Sequence, residues 1–372
     1  MTPYSGLLFF GILILVLLPA VVLGLLGKSL RIYGLIATAL LLLTAFGTWQ
    51  AKVTLVAFWA LETGLCCGYL ALRKKFSQRW LLWIALVLAL LPLLFVKLGV
   101  FAMLGVSYMT FRAVQVLLET YDGHIKTLNL WDLSYFVLFF PSVASGPIDR
   151  YRRFSADLQV KRTGQQYYEL LKKGVWKLML GAVYNFAIGN LIWTYWVAAL
   201  PESGFFATWC YLYGYTFFMF FNFAGYSLMA IGTAYILGIQ MPENFQMPFL
   251  SKDMKDFWAR WHISLSTWLR DYVYTRFCMA ALRGKWFKGQ RTSSYLGYFL
   301  TMFLMGVWHG FTLPCLVYGL YHGVLMSANE ILDTKWKKYK KLKKQPLASA
   351  VMIFITFHLF GFGLLIFSGR LF

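Results

Sequence analysis

The sequence is a succession of apolar runs, separated by short clusters of lysine and arginine. A helix needs about 20 mostly apolar residues to cross the hydrocarbon core of a bilayer, and many of these runs reach that length. Of the 372 residues, 60% are hydrophobic and 13% are charged, about half the charged fraction of a soluble domain. This composition excludes an ordinary soluble enzyme, and it excludes intrinsic disorder, which requires low hydrophobicity. We expect an all-α, polytopic integral membrane protein.

Most of the apolar runs are candidates for membrane-spanning helices. The candidates are 5–26, 32–49, 53–72, 80–98, 99–118, 130–147, 175–199, 205–222, 224–240, 294–312, 313–332 and 347–368. Some of them are expected to be half-length or re-entrant, so we predict about eleven spans. The first run is expected to be a retained span, because it is long for a signal peptide and no basic residue precedes it. We predict one transmembrane domain, residues 1–372, with polar interruptions near 145–174 and 243–292.

The chain is strongly basic, with 35 lysine and arginine residues against 14 aspartate and glutamate residues, a formal net charge of +21. The cations lie between apolar runs, so they indicate orientation and contact with anionic lipid rather than with nucleic acid. Because cytoplasmic loops retain lysine and arginine, the clusters at 28–31 and 73–79, two spans apart, predict an extracellular N-terminus. The cluster at 335–344 precedes one span, which predicts an extracellular C-terminus.

The densest polar island is Phe249–Tyr274, FLSKDMKDFWARWHISLSTWLRDYVY. In a continuous helix, four of its residues would lie four positions apart on one face: Trp258, His262, Ser266 and Arg270. Its tryptophans suit a membrane interface, where the ring is buried and its polar edge is wet. Two interpretations stay open, an interfacial amphipathic helix without chemistry and a part of a functional site.

A second candidate is His309, which lies in a stretch without acidic or basic residues from Ser293 to Ala328. A buried imidazole needs a partner, a cavity or water, because an unpaired polar group costs several kcal/mol. Gly306 and Gly310 flank it and would let another helix or a ligand approach. His322, also beside a glycine, is expected to pack near the same place. We assign no role to His124 or His358.

Other chemistries lack their motifs. The sequence contains no phosphate-binding GxxxxGK[ST] loop, no GxGxxG and no GxSxG. The five cysteines form no CxxC pair and the histidines are scattered, so we expect no metal site. Transport, or a scaffold without chemistry, stays open, because intramembrane polar residues also mark substrate paths.

Four segments together resemble the membrane-bound O-acyltransferase family: SGPIDRYRRF (145–154), FNFAGYSLMAIG (221–232), MPENFQMPFLSKDMKDFWARWHISLSTWLRDYVY (241–274) and MGVWHG (305–310). The likeness extends from about Arg112 to the C-terminus, with a signature core of about 112–332. It implies a ring of spanning helices around a thin core, with an outward funnel to the essential histidine and a tunnel to the cytoplasm. It also implies transfer of an activated acyl group from inside to a hydroxyl outside, without a bound cofactor or metal.

Within the family, the segment after Tyr274 (TRFCMAALRGKWFKGQ) is similar to the D-alanylation branch rather than to the polysaccharide or peptidoglycan O-acetylation branch, which stays the alternative. The D-alanylation branch implies a D-alanyl thioester donor on the phosphopantetheine of an acidic cytoplasmic carrier protein. It also implies lipoteichoic acid as the final acceptor and partner membrane proteins from the same operon.

The resemblance assigns roles to individual residues. His309 is the expected general base, and His262 is expected to orient the thioester or polarise its carbonyl. A neutral buried imidazole suits the base role, because its lone pair is available. The residues expected to line the tunnel or support the two histidines are Trp308, Ser266, Arg270, Asn222 and His322. Carrier docking is expected at Arg276, Cys278, Met279, Arg283 and Lys285. Asn222 stands where the family usually has aspartate, so a carboxylate role is not expected there.

Overall fold

The computed structural model describes residues 2–289 and 291–372. Every regular element in these residues is helical, and the one β-type pairing described is an isolated bridge between Phe245 and Trp261. The all-α fold class is thereby confirmed. The chain divides into two compact units. Unit 1 comprises Met1–Val183 and Gly225–Pro242, and unit 2 comprises Tyr184–Ala224 and Glu243–Phe372.

Unit 1 contains the N-terminal helices. They are α1 (Gly6–Leu25), α2 (Arg31–Ala45), α3 (Trp49–Lys75), α4 (Arg79–Lys97), α5 (Val106–Tyr121), α6 (Leu130–Leu138), α7 (Tyr151–Leu158) and α8 (Gly164–Ala182). A 3-10 turn (Phe140–Ser142) follows α6, and the last part of α10 (Phe205–Ile236) also belongs to this unit. Thr163 caps α8, since its hydroxyl accepts from the Gln166 amide and the Gln166 side chain accepts from the Thr163 amide.

A buried arginine holds the first polar interruption in unit 1. The fully buried Arg112 of α5 donates to the carbonyl oxygens of Val137 (3.0 Å) and Phe139 (3.3 Å). It also donates to the carbonyl (3.0 Å) and hydroxyl (2.5 Å) oxygens of Ser142. These carbonyls lie where α6 ends and the helical ladder no longer satisfies them. One guanidinium therefore replaces several lost backbone hydrogen bonds, which non-helical backbone requires in an apolar surrounding.

Unit 2 contains the remaining elements. They are the π-helical stretches Val183–Gly189 and Trp193–Val197 on either side of α9 (Asn190–Ile192), the first part of α10, a 3-10 turn (Pro248–Leu250), α11 (Met254–Trp258), α12 (Ile263–Leu269), a π-helical stretch (Arg270–Tyr274), α13 (Thr275–Arg283), α14 (Thr292–His309), α15 (Leu313–Lys335), α16 (Lys337–Leu342) and α17 (Pro346–Phe367). Val183 itself is counted in unit 1.

Six of the described helices are long and apolar enough to cross a membrane: Gly6–Leu25, Trp49–Lys75, Arg79–Lys97, Gly164–Val197, Phe205–Ile236 and Pro346–Phe367. The total of about eleven spans stays a prediction. One detail was wrong: the two predicted spans at 205–222 and 224–240 form one helix, α10, of 32 residues. The segment contains no proline or charged residue that would end a helix. At 1.5 Å per residue it is about 48 Å long.

Candidate functional site

The Trp-His-Gly turn ends α14. His309 is the last residue of the helix, and Gly310 follows with extended backbone (φ 173°, ψ 168°). The half-buried imidazole is surrounded by aromatic rings, with centroid distances of 4.6 Å to Trp308, 5.0 Å to Phe367 and 6.0 Å to Tyr318. His309 thus lies at the end of a helix, in an aromatic and partly accessible surrounding.

Close approach of α15 to α14 positions this turn. A Cβ on Gly306 would lie 2.6 Å from the carbonyl oxygen of Cys315 and 2.6 Å from Cα of Gly319. Real side chains do not make such contacts, so the two backbones touch only because both positions are glycine. The prediction that Gly306 admits a neighbouring helix is confirmed. At Gly310 a Cβ would meet the sulfur of Cys315 at 3.4 Å, an ordinary contact.

His322 lies one helical turn beyond Tyr318 in α15, and the two rings are 4.6 Å apart. Trp258 approaches His322 from α11 at 5.3 Å, with its ring nearly perpendicular. A Cβ on Gly363 would overlap the Nε2 atom of His322. His322 is completely buried, and neither ring nitrogen has a hydrogen-bond partner among the described residues. Tyr318 therefore contacts both His309 and His322, which agrees with the expectation that the two histidines share one region.

The expected single helical face through His262 is not present. The helix α11 ends at Trp258, and His262 has left-handed backbone (φ 46°) immediately before α12. Between the two helices the backbone pairs with residues 244–246: Gln246 donates to the Arg260 carbonyl (3.0 Å) and Ile263 donates to the Asn244 carbonyl (2.9 Å). This pairing takes the place of the helical ladder, and so the island is two short helices rather than one amphipathic helix.

The His262 side chain is buried against Asn244 and Phe223. Its Nδ1 lies 3.4 Å from the Asn244 Oδ1 atom, and its ring meets Phe223 edge to face at 4.7 Å. The same Oδ1 accepts from the amide (3.1 Å) and hydroxyl (2.6 Å) of Ser264. Because this oxygen is an acceptor, we assign the ring proton to Nδ1, which leaves the lone pair on Nε2.

Burial lowers the pKa of His262 far below its usual value, and electrostatic interaction with the imidazole of His309 lowers this pKa further. The imidazole is therefore neutral at physiological pH. Sequence reasoning missed Asn244, its buried partner. The available signal was a polar residue in an otherwise apolar MPENFQMPF segment.

Unit 2 also contains a cavity of about 230 Å³. Two of the predicted residues, Ser266 and Arg270, line it together with Trp258 and Met305, which is one helical turn before His309. The indole nitrogen of Trp258 is buried and has no hydrogen-bond partner among the described residues. Lys255 also lines the cavity, and both cations are ion-paired, Lys255 with Glu330 and Asp333 and Arg270 with Asp271. The cavity thus combines an unpartnered indole N–H, several hydroxyls and two paired cations with an apolar wall.

Asn222 pairs with a neutral amide. The side chain of Asn185 donates to the Asn222 Oδ1 (2.6 Å) and to its carbonyl oxygen (3.0 Å). Asn185 lies in the π-helical stretch Val183–Gly189, a distortion that is frequent at functional sites. A neutral donor opposite Asn222 does not require a carboxylate there.

The five predicted docking residues separate into two groups. Met279 on α13 is 46% exposed, and its neighbour Leu282 is 52% exposed. Arg283 and Lys285 are also exposed. Arg276 is half-buried, and the Cys278 thiol donates to the Ser293 carbonyl oxygen (3.3 Å). The exposed face of α13 is therefore apolar and flanked by cations. No group of three or more histidine, cysteine, aspartate or glutamate side chains in the described part of the chain could hold a metal ion.

Comparisons with known proteins give a consistent result. The profile of MBOAT, the membrane-bound O-acyltransferase family, matches residues 9–368. A teichoic acid D-alanyltransferase of Bacillus subtilis (strain 168) is 43% identical over an alignment covering 100% of this chain and 98% of that protein. A teichoic acid D-alanyltransferase of Streptococcus thermophilus is 34% identical, with 99% and 95% covered. A probable alginate O-acetylase of Pseudomonas fluorescens is 33% identical, with 76% of this chain and 56% of that protein covered.

Proposed function

The chain belongs to the membrane-bound O-acyltransferase family, and we propose that it transfers D-alanine from a carrier-protein thioester to lipoteichoic acid. Its family and its relatives make it a multi-pass membrane acyltransferase of teichoic acid D-alanylation. The observation that carries the finer proposal is the match to a D-alanyltransferase over both complete lengths. The match to the alginate O-acetylase covers only 56% of that protein.

The donor in this proposal is D-alanine on the phosphopantetheine of an acidic cytoplasmic carrier. His309 takes the proton of the acceptor hydroxyl while the hydroxyl oxygen attacks the thioester carbonyl carbon. The carbon–sulfur bond then breaks, and the thiolate leaves with the proton that His309 received. The products are the D-alanyl ester and the free thiol, so atoms and charge balance. Because a thioester is already activated, positioning of both reactants supplies much of the remaining acceleration.

His262 has a different task in this scheme. With Nδ1 donating to Asn244, the free Nε2 lone pair accepts a hydrogen bond and cannot donate one. We therefore assign it the orientation of the donor arm through an N–H group rather than polarisation of the carbonyl. The cavity beside Trp258, Ser266 and Arg270 is large enough for part of such an arm. Trp308 and His322 support His309 through the aromatic contacts around it.

The carrier docks on α13 in this proposal. Met279 and Leu282 supply an exposed apolar contact, and Arg283 and Lys285 complement an acidic partner. Arg276 adds a further positive charge on this helix, and the Cys278 thiol ties α13 to α14 through the Ser293 carbonyl oxygen. The cytoplasmic position of α13, the extracellular termini, the contact with anionic lipid and the partner membrane proteins are parts of the same proposal.

The deciding experiment compares wild-type cells with His309→Ala cells at matched protein level. Mild base releases the envelope esters, and D-alanine and acetate are quantified separately. We expect selective loss of D-alanine. The matched control is His124→Ala, because His124 is an exposed histidine in unit 1. Loss of acetate instead would move the chain to the O-acetylation branch. Unchanged esters would remove His309 from the mechanism.

Docking is tested separately with purified protein and the acylated carrier. Met279→Glu places a negative charge on the apolar face, and we expect carrier affinity to fall more than about tenfold. Met247→Glu is the control, because Met247 is 71% exposed and lies outside α13. Equal affinities of the two variants would refute docking on α13 without touching the role of His309.

A further inference from the structure

A second cavity, of about 330 Å³, lies in unit 1 and has no part in the proposed reaction. It is formed where α1 ends, where α2 begins and where the loop between α7 and α8 passes. We call it the basic pocket, because four cations line it: Lys28, Arg31, Lys161 and Arg162. Asp157 is the acidic residue in its lining.

Two of the four cations are compensated. Arg162 pairs with Asp157, whose other carboxylate oxygen accepts from the Gln240 amide (2.6 Å). Arg31 donates from Nε to the buried Asp132 (2.7 Å). The exposed side chains of Lys28 and Lys161 have neither a hydrogen bond nor an ion pair with the described residues. The basic pocket therefore carries two uncompensated positive charges.

The walls of the basic pocket are held by close backbone contacts. A Cβ on Gly164 would overlap the carbonyl oxygen of Leu25, and a Cβ on Gly24 would overlap the ring of Tyr167. The Tyr167 hydroxyl donates to the carbonyl oxygen of Ile236 (2.7 Å). The end of α1, the start of α8 and the end of α10 are thus fixed together, so the cavity exists before any ligand arrives.

The start of α2 adds a further positive field. Ser29, Leu30 and Arg31 line the pocket at the N-terminus of this 15-residue helix. Leu30, at the N-cap position, provides no side-chain acceptor, and of the first-turn amides the Arg31 amide donates to the Ser29 hydroxyl (3.4 Å). The N-terminal end of a helix attracts anions through these amides and the helix dipole. Here that end coincides with Lys28 and Lys161.

The position of the basic pocket at the ends of membrane-spanning helices indicates which anion is available to bind there. Both α1 and the stretch that begins with α8 are long and apolar enough to span a membrane, and the pocket lies where the first ends and the second begins. Lipid phosphates lie at this level. Val160 in the lining and Leu26 after α1 are exposed apolar residues, which suit acyl chains beside the headgroup.

We propose that the basic pocket binds the phosphate of an anionic phospholipid headgroup. Lys28 and Lys161 provide the counter-charges, and the α2 terminus provides amide donors. A free phosphate ion would satisfy the same groups but would make no use of the apolar rim. The site is separate from the proposed reaction, since His309 and His262 belong to unit 2.

The test uses the full-length protein in detergent and follows its thermal unfolding on titration with phosphatidylglycerol, phosphatidylcholine or inorganic phosphate. We expect phosphatidylglycerol to stabilise the wild type more than phosphatidylcholine does. In the double variant Lys28→Gln/Lys161→Gln, the phosphatidylglycerol concentration that gives half of the maximal stabilisation should rise about 30-fold. Each cation near a membrane surface contributes about 1 kcal/mol, and the loss of two such contributions corresponds to this factor. Unfolding without lipid should not change, because neither lysine has a described side-chain partner.

The matched control is Lys74→Gln/Lys75→Gln, which removes two exposed lysines at the end of α3. It should respond to phosphatidylglycerol as the wild type does. Equal stabilisation by both lipids, or equal loss in the two double variants, would overturn the proposal. Stabilisation by inorganic phosphate with none by phosphatidylglycerol would overturn the assignment to lipid.

Discussion

Replacing Gly306 with alanine adds one methyl group at the point where α14 and α15 touch. The new Cβ would lie 2.6 Å from Cα of Gly319, 2.6 Å from the Cys315 carbonyl oxygen and 2.8 Å from the Gly319 nitrogen. Favourable contacts between carbon atoms begin at about 3.5 Å. The neighbouring atoms belong to the backbone, so no side chain can rotate away. The two helices must therefore separate by about 1 Å to admit the methyl group.

The effects on stability and on activity should differ in size. Overpacking costs about 1–3 kcal/mol, and the exchange of glycine for alanine inside a helix returns about 0.5–1 kcal/mol, so the net loss is about 0–2.5 kcal/mol. The same displacement moves His309, which ends the next turn of α14. A misplacement of about 1 Å can lower a rate about 100-fold. We expect a folded protein with little transfer activity.

The assay measures envelope D-alanine esters at matched protein level, together with thermal unfolding of the purified protein. The control is Gly64→Ala in α3, where a Cβ would meet no described atom within 4 Å. It should keep full activity and gain slightly in stability. Wild-type ester content in Gly306→Ala, or an equal loss in Gly64→Ala, would refute the argument that glycine contact positions His309.

Three further predictions concern other polar contacts. Asn222→Asp should retain activity, because an oxygen still accepts from Asn185. Asn222→Leu removes that acceptor and should lower the free energy of unfolding by about 1 kcal/mol. Equal unfolding temperatures of Asn222→Leu and the wild type would contradict this. Arg112→Lys should lower the free energy of unfolding by about 3 kcal/mol, because an ammonium cannot make the four hydrogen bonds of the buried guanidinium. An unfolding temperature equal to that of the wild type would contradict this. Burial raises the pKa of Asp333, but hydrogen bonds from lysines, first from Lys343, lower it more, so the net shift is downward. A carboxylate with a lowered pKa stabilises the fold above its unfolded pKa, near 4, and that stabilisation is lost as the pH falls through the folded pKa. The unfolding temperature of Asp333→Asn should therefore fall less steeply than that of the wild type below about pH 4, and parallel curves would exclude the effect.

Hydrophobic pattern predicted the class of this fold well and its segmentation less well. Apolar length alone indicates a membrane protein, and six helices in the described part of the chain meet that criterion. The same criterion divided 205–240 into two spans, because the run is longer than one bilayer crossing. Nothing in the segment ends a helix, so it continues through Phe223 as α10. Length sets the number of crossings only where a turn signal is also present.

The sequence indicated candidate residues where one residue contradicts its surroundings. His309 was singled out because a lone imidazole in an apolar run is costly, and Gly306 because small residues permit contact between helices. His262 was singled out within the polar island, and only the family motif gave it a role; the helical face expected for it was wrong. Its left-handed backbone depends on pairing with residues 244–246, which are distant in sequence and have no periodic signature.

The environment of His262 restricts the chemistry that a histidine can perform there. Polarising a thioester carbonyl requires a ring N–H directed at the substrate. The Asn244 oxygen, fixed by two hydrogen bonds from Ser264, accepts a hydrogen bond from the Nδ1–H group as assigned, and burial keeps the ring from gaining a second proton. The nitrogen left over is an acceptor. An N–H group of the proposed donor arm would satisfy it, whereas a carbonyl oxygen would repel it, and this supports the proposal that His262 positions the acyl donor.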